Sequence, residues 1–226
     1  MDFEVWEPYY SRILSDFGFE REEDERSALV LSNLLEDKDL ASEDDLRDLI
    51  LGKSVAVVGG ARHLEKELEE DLPYDVLIAA DGTTSLLLKR AICPDVIVTD
   101  LDGNIEDQLA ANRQGAIAAV HAHGDNISQI KAFVPRFTGK VMGTVQCRPF
   151  DDLHNFGGFT DGDRSVFLAE HFNAESIRLL GFDFYCVGEK ENCNHETKLR
   201  KLGWARRLIA ALDCPIEHEG LKDGLS

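Results

Sequence analysis

Short apolar runs alternate with amphipathic stretches over most of the chain, starting near residue 53. The runs are rich in Val, Ile and Ala and almost continuous in apolar residues, which is typical of strands covered on both faces of a parallel sheet. The intervening stretches have the length of single helices, so the pattern predicts successive βαβ units. The predicted strands are 54–58, 75–80, 95–100, 116–121, 140–145 and 176–182, and the predicted helices are 62–70, 83–91, 104–114, 126–133, 163–172 and 197–212. We therefore expect an α/β fold with a largely parallel, doubly covered sheet of about six strands.

The N-terminal part of the chain has a helical pattern and no strand pattern. Its apolar residues recur at helical spacing, namely Phe3, Trp6, Tyr9, Tyr10, Ile13 and Leu14. The charged run 21–26 is expected to be a solvated helix face. Further along, Ser42 precedes three acidic residues, which is typical of a helix N-cap and first turn. We predict a helical N-terminal extension over residues 1–52, packed by its aromatic stripe, and an α/β domain over residues 53–226.

Three consecutive predicted strands end in clusters of Asp or His followed by Gly. They run into Asp81-Gly82, Asp100-Leu101-Asp102-Gly103 and His121–Asn126. Because the carboxyl ends of parallel strands meet at one edge of the sheet, these clusters are expected to converge. In an extended backbone the carboxylates of Asp100 and Asp102 would leave the same face. Such a pair is typical of a site for a hard cation such as Mg²⁺, which often accompanies a polyphosphate.

The segment 150–162 interrupts the alternation of strands and helices. It is rich in Gly and carries Phe156 and Phe159, and it is too long for an ordinary connection. We interpret it as a mobile lid over the strand ends, whose phenylalanines would cover a flat heterocycle. A passive surface loop is the alternative.

The composition narrows the classes of function. The formal net charge is −19, which disfavours nucleic-acid and anionic-membrane partners because contact with phosphates requires clustered Lys and Arg. No apolar stretch approaches the roughly 20 residues that span a bilayer, and the acidic start lacks the pattern of a signal peptide. We therefore expect a cytoplasmic protein whose cysteines are free thiols. The neighbouring Cys186, Cys193 and His195 do not match the common spacings of zinc ligands.

Three other classes of enzyme carry parts of this arrangement of acidic residues and Gly-rich turns. The turn Val57–Arg62 has amides that could hold a phosphate, and Asp81 is spaced like the ribose-binding acid of a dinucleotide fold. The G-x-G-x-x-G and P-loop patterns are absent, however. Asp100–Gly103 also imitates the nucleophile motif of haloacid-dehalogenase-type phosphatases, although two predicted strands precede it. The Asp-x-Asp spacing binds metal and diphosphate in nucleotide-sugar glycosyltransferases as well, and that alternative stays open.

Taken together, the three strand ends resemble the catalytic half of thiamin pyrophosphokinases. The resemblance lies in Ala79–Gly82, Pro94–Gly103 and Gly124–Asn126. There, an Asp-Gly turn, a Pro-Asp-led strand that ends in Asp-x-Asp, and a later Asp act together.

A closer resemblance is to the archaeal 6-hydroxymethyl-7,8-dihydropterin pyrophosphokinases, the MptE-like family. His121–Asn126 and Gly158–Arg164 are similar to signatures of that family, and so is the opening Met1–Phe3 followed by Trp6. The resemblance covers nearly the whole chain. One departure is the turn Gly59–Arg62, where related proteins usually carry a Gly-Pro-Ser type turn.

The resemblance implies that diphosphate is transferred from ATP to the hydroxymethyl group of a pterin, with Mg²⁺ as cofactor and AMP as the second product. Thiamin is the alternative acceptor, and a homodimer is compatible with the sequence. Asp100 and Asp102 would hold the metal, Asp125 would be the third acid, and His123 would act beside them. The substrate- and nucleotide-binding residues implied are Asp81, Gly82, Thr83, Gly59, Gly60, His121, Gly124, Asn126, Asp161, Asp163, Arg164 and Lys198. For Asp161 and Asp163, helix capping is the alternative role. For His121 and His123 the alternative is a buried structural role, and for Lys198 it is a place on the surface of the last helix.

Overall fold

The computed structural model describes residues 1–69, 73–186 and 194–218. In these residues eight parallel strands form one sheet. The strands are β1 (Ser54–Val58), β2 (Val76–Ala80), β3 (Val96–Thr99), β4 (Ile117–Ala122), β5 (Val141–Val145), β6 (Leu153–His154), β7 (Ser176–Leu180) and β8 (Ile216–Glu217). They lie side by side in the order β6-β5-β4-β3-β2-β1-β7-β8. The predicted α/β class and parallel sheet are confirmed.

The sheet has more strands than the predicted six. The additional strands, β6 and β8, are two residues long and form the two edges of the sheet. A strand of that length is too short to show an apolar period, and β6 lies in the Gly-rich segment that we expected to be a loop. The other strands begin and end within two residues of the predicted bounds.

Nine α-helices occur in the described part of the chain. They are α1 (Phe3–Phe17), α2 (Arg21–Leu35), α3 (Glu43–Ile50), α4 (Leu64–Glu67), α5 (Thr83–Lys89), α6 (Ile105–Arg113), α7 (Ile127–Phe133), α8 (Asp161–His171) and α9 (His195–Ala210). The predicted N-cap of α3 is confirmed, because the Asp45 amide donates to Ser42 Oγ at 3.1 Å. None of the described helices has the length and apolar character that crossing a bilayer requires.

Helices cover both faces of the sheet, as apolar strands require. On one face, Leu46 of α3, Leu168 of α8 and Ile209 of α9 pack in one cluster with side chains from six of the strands. On the opposite face, Leu87 of α5 packs on β1 and β2, and Leu31 of α2 packs on β4 and β5. The prediction of a doubly covered sheet is therefore confirmed.

The N-terminal helices share a hydrophobic cluster with the sheet. Trp6, Tyr10 and Ile13 of α1 lie in the same cluster as Val120 of β4. The Trp6 indole N–H also donates to the carbonyl of Gln146, just after β5, at 2.9 Å. The predicted helical stripe is confirmed, and the division of the chain at residue 52 stays a prediction.

The phenylalanines of the segment 150–162 are packed into the fold, whereas we expected them to cover a bound heterocycle; the mobility expected of the segment stays a prediction. Phe156 and Phe159 are only 6% and 5% exposed, so their rings are part of the core. Gly158 has a φ of +89°, and a Cβ there would collide with the backbone of Arg164. The glycines therefore allow close packing against α8 in a conformation that other residues avoid.

Candidate active site

Three carboxylates from separate parts of the chain meet at the carboxyl edge of the sheet. Asp81 follows β2, Asp100 follows β3, and Asp161 opens α8. Ala80 of β2 pairs with Val98 of β3, so the ends of these strands are level. One oxygen from each carboxylate lies within 4.8 Å of the others. The convergence expected of the strand ends is observed for Asp81 and Asp100, and Asp161 joins them from α8. We call these three residues the acidic group.

Asp81 is the buried member of the acidic group. Its Oδ1 accepts hydrogen bonds from Thr99 Oγ1 at 2.6 Å and from Gln108 Nε2 at 2.8 Å. Burial raises the pKa of Asp81 to about 7. The hydrogen bond from Thr99 acts to lower this pKa, and the charges of Asp102 and Asp100 act to raise it. Near neutral pH this carboxyl is therefore divided between its two protonation states.

The chain turns between Asp100 and Asp102, which corrects the expectation that both leave one face of an extended strand. β3 ends one residue earlier, Leu101 has a left-handed φ of +70°, and the Asp102 amide donates to Asp100 Oδ1 at 3.2 Å. Gly103 follows because a Cβ there would collide with the Asp81 carboxylate. Asp100 therefore joins the acidic group, whereas Asp102 is exposed beside it.

Arg164 brings a positive charge to the acidic group from the first turn of α8. It is 7% exposed, and its Nη1 donates to Asp161 Oδ1 at 3.1 Å. Burial raises the pKa of Asp161 well above its usual range, the Asp100 charge adds to this, and Arg164 opposes it. Burial alone would also raise the pKa of Asp100, but His123 and Arg164 lower it overall. For Asp161, burial and the charge of Asp100 thus outweigh the opposing effect of Arg164.

The two histidines near the end of β4 differ in their surroundings. His123 Nδ1 accepts from the Asp125 amide at 3.3 Å, so its Nε2–H donates to Asp100 Oδ2 at 3.3 Å. His121 is only 2% exposed, and its Nδ1 lies 3.1 Å from Thr144 Oγ1. Burial lowers the pKa of His121 well below its usual value. His123 thus contacts the acidic group, while His121 is a neutral side chain inside the fold.

Comparison with known proteins places the chain in one family. A family model described as 6-hydroxymethylpterin diphosphokinase MptE-like matches residues 30–189. The chain belongs to the MptE-like family. The resemblance that the motifs indicated is therefore confirmed.

Three archaeal relatives of this MptE-like chain carry the name 6-hydroxymethyl-7,8-dihydropterin pyrophosphokinase. The protein of Methanocaldococcus jannaschii is 40% identical over 98% of this chain and 100% of its own length. That of Pyrococcus furiosus is 43% identical over 92% of this chain and 93% of its own length. That of Methanothermobacter thermautotrophicus is 46% identical over 81% of this chain and 79% of its own length.

In the first turn of this MptE-like chain, the amides of Gly59 and Ala61 donate to the protein's own backbone, which corrects the expectation that these two amides hold a phosphate. The Gly59 amide donates to the Leu180 carbonyl at 2.7 Å, and the Ala61 amide donates to the Gly181 carbonyl at 2.8 Å. A Cβ at position 59 would lie 2.7 Å from the Gly181 oxygen. Gly59 therefore permits the close approach of β1 and β7, and its amide is not available to a nucleotide.

Gly124 and Asn126 are likewise engaged within the protein, although we expected them to bind substrate. The Gly124 amide donates to Asp24 Oδ1 at 2.8 Å. Asn126 Nδ2 donates to the carbonyls of Asp100 at 2.8 Å and His121 at 2.7 Å. Asn126 therefore links the ends of β3 and β4 and helps to position Asp100 of the acidic group through its backbone.

Thr83 and Asp163 also have partners inside the fold. Thr83 Oγ1 donates to the Val58 carbonyl at 3.2 Å. The fully buried Asp163 accepts from the amides of Phe159 at 2.6 Å and Thr160 at 2.7 Å. Of the two roles considered for Asp163, the structure supports helix capping.

The remaining predicted residues lie at the surface or partly exposed. Gly60, Gly82 and Asp125 are exposed, and Lys198 is partly buried near the start of α9. Asp125 is not a member of the acidic group. The roles expected of these four residues stay predictions. The loop of Cys186, Cys193 and His195 includes residues outside the described part of the chain.

Two polar residues near the site were missed in the sequence. Gln146 follows β5, and Asp24 lies in the charged run that we expected to be solvated. Asp24 is 3% exposed and accepts from Tyr10 Oη at 2.7 Å and from Gln146 Nε2 at 2.8 Å. The rule applied to the other strand ends would have found Gln146, whereas nothing in a run of charges distinguishes the one buried acid.

Proposed function

We propose that this protein transfers diphosphate from ATP to the hydroxymethyl group of 6-hydroxymethyl-7,8-dihydropterin, with release of AMP. The observation that carries the proposal is the acidic group, with Arg164 beside it, in a member of the MptE-like family. The names of the three relatives favour a pterin over thiamin as the acceptor. The product would supply methanopterin- or folate-type cofactor biosynthesis.

The residues of the acidic group fit Mg²⁺. Carboxylate oxygens are the ligands that this hard cation prefers, and the three oxygens are close enough together to share one ion. Burial and like charge raise the pKa of Asp81 and Asp161, so a bound cation would relieve an existing repulsion. We therefore assign the metal to Asp81, Asp100 and Asp161, with the exposed Asp102 next to them. Bound there, Mg²⁺ would neutralise the charge of the polyphosphate.

In the proposed reaction the pterin hydroxyl oxygen forms a bond to the β-phosphorus of ATP. The bond between that phosphorus and the bridging oxygen to the α-phosphate breaks, and AMP leaves with the electron pair. Negative charge builds on phosphate oxygens, where a fixed cation is most effective. Arg164 is the candidate for that contact, His123 orients Asp100, and the exposed Asp125 is the candidate acceptor of the hydroxyl proton.

The acceptor and the mode of transfer are tested together. The purified protein is incubated with Mg²⁺, ATP and, separately, 6-hydroxymethyl-7,8-dihydropterin or thiamin, and the products are identified by mass spectrometry. We expect AMP and the diphosphorylated pterin in equal amounts and no thiamin diphosphate. A diphosphorylated thiamin, or turnover of a sugar nucleotide in place of ATP, would overturn the proposal.

A further inference from the structure

A small cavity lies between the central strands and α8. Its lining includes Val98 of β3, His121 and Ala119 of β4, Thr144 of β5, and Arg164 and Leu168 of α8. The space that the centre of a water molecule can occupy inside it is about 10 Å³. A polar cavity of that size holds a single water when at least two polar groups face it.

Two polar atoms on the lining of this cavity lack a partner. Among the described residues, three buried side-chain nitrogen or oxygen atoms have no hydrogen bond, namely Thr84 Oγ1, His121 Nε2 and Arg164 Nε. His121 and Arg164, 2% and 7% exposed, both line the cavity, and Thr84 does not. Buried polar atoms are rarely left without a partner, because each has lost its hydrogen bonds to bulk water.

The hydrogen bonds around His121 define which of its nitrogens carries the proton. Thr144 Oγ1 donates to the Val120 carbonyl at 3.2 Å, so this hydroxyl has no proton left for His121. The contact of 3.1 Å between His121 Nδ1 and Thr144 Oγ1 is then an N–H donating to the oxygen. His121 Nε2 is left as an unprotonated acceptor, while Arg164 Nε–H is a donor.

We propose that one ordered water fills the cavity, accepts from Arg164 Nε–H and donates to His121 Nε2. His121 is then a positioning residue, which acts on the guanidinium of Arg164 through this water. The other edge of that guanidinium donates to Asp161. The water and His121 thus hold Arg164 at Nε, while its Nη1 contacts the acidic group, where the proposed function places the phosphates.

The link also explains why a neutral histidine suits this position. Arg164 has three distinct nitrogens, and two of them have protein partners, Asp161 at 3.1 Å and Gln146 at 3.5 Å. An apolar residue at position 121 would leave Nε without support and the guanidinium free to rotate away from Asp161. A charged histidine would repel the arginine across the cavity.

The first test does not depend on activity. A high-resolution crystal structure of the full chain should show one water within hydrogen-bond distance of both His121 Nε2 and Arg164 Nε. Nitrogen-15 NMR of histidine-labelled protein at neutral pH should show His121 protonated on Nδ1 only. A cavity without electron density, or a proton on His121 Nε2, would overturn the proposal whether or not the protein transfers diphosphate.

The second test compares two variants that differ in one acceptor. The His121→Gln amide reaches the place of Nε2 and can accept from the water, whereas the His121→Asn amide reaches only the place of Nδ1. A change in kcat is expected only if Arg164 contacts the phosphates, as the proposed function states. On that basis His121→Asn, which removes the acceptor of the water, should lower kcat at least about tenfold, the scale of one buried hydrogen bond to a charge. His121→Gln should restore most of it. Equal losses in both variants, at equal melting temperature, would show that His121 has only a packing role.

Discussion

At the scale of single residues, the proposed chemistry rests on three carboxylates that lie close together at one edge of the sheet. Asp81 and Asp161 both have a raised pKa, with burial as the main cause. Two carboxylates that share a small space resist ionising together, so the arrangement is costly unless a cation binds. Such local costs are typical of functional sites. The acidic group is therefore better explained by ligand binding than by the stability of the fold.

The variant Asp100→Asn should lose at least about 99% of turnover, because a neutral amide neither attracts a metal nor accepts the His123 hydrogen bond as strongly. Because the amide keeps the shape of the side chain and removes one negative charge from the acidic group, the melting temperature should change by only a few degrees. Steady-state kinetics at saturating Mg²⁺, with circular dichroism melting, checks both. Asp152→Asn, an exposed acid outside the acidic group, is the matched control. Activity near wild type in Asp100→Asn would remove Asp100 from the metal site.

The raised pKa of Asp81 makes the stability of the metal-free protein depend on pH. The folded-state value of about 7 lies above the usual 3.8, so folding favours the protonated carboxyl. Its stabilising contribution is complete below pH 3.8 and is lost as pH rises through 7. In chelator, Asp81→Asn should remove this loss and stabilise the protein at pH 8 by on the order of 2 kcal/mol, while Thr99 and Gln108 keep an oxygen acceptor. Urea unfolding at pH 6 and pH 8 measures it, and an equal effect at both values would refute the assignment.

At the scale of elements, the apolar runs located every long strand, but the chain turns at the site did not follow from them. Asp100-Leu101-Asp102 has strand-like residues before it, yet Leu101 adopts a left-handed φ of +70°. Few residues other than Gly take that conformation, so no pattern in the sequence indicates it. The two edge strands β6 and β8 were missed because two residues cannot show a period. Long elements are encoded locally, whereas short ones depend on the neighbours that they pair with.

The glycines of the segment 150–162 lie in close contact with α8, although the Gly-rich sequence suggested a mobile segment. Gly157 and Gly158 both have positive φ, and a Cβ at either would collide, with the Phe167 ring or with the Arg164 backbone. A Gly-rich sequence is compatible with mobility and with tight packing, and only the tertiary contacts distinguish the two.

Hydrogen exchange in the free protein should therefore be slow at the amides of residues 157, 159 and 160, which donate to Asn155 and Asp163. These amides should be protected as well as those of β5, with no large change when ATP and pterin are added. Fast exchange without ligand, followed by protection with both substrates, would restore the lid interpretation.

At the scale of the whole molecule, the N-terminal helices are tied to the site by buried polar contacts. Asp24 of α2 accepts from Tyr10 of α1, from Gln146 after β5 and from the Gly124 amide after β4. Ser27 also donates to Asn126 at 3.2 Å. The sequence indicated helices in this region, but not that they complete the support of the acidic group. Contacts between residues about a hundred positions apart leave no local signal in one chain.

The variant Asp24→Ala should lower the free energy of unfolding by about 2–4 kcal/mol, because it leaves buried donors without an acceptor. It should also lower turnover, since Gln146 and the turn after β4 lose a support near Arg164 and His123. Urea unfolding and kinetics measure the two effects. Glu22→Ala, an exposed acid on the same helix, is the control and should change neither by much. Similar values for both variants would mean that the N-terminal helices do not support the site.

The central claim is that this MptE-like protein moves two phosphates at once to a pterin. The most direct measurement uses ATP labelled with phosphorus-32 only at the β position, incubated with Mg²⁺ and 6-hydroxymethyl-7,8-dihydropterin. Attack at the β-phosphorus transfers the label to the pterin product and leaves unlabelled AMP. Transfer of the γ-phosphate alone would leave the label in ADP, and that result would contradict the account.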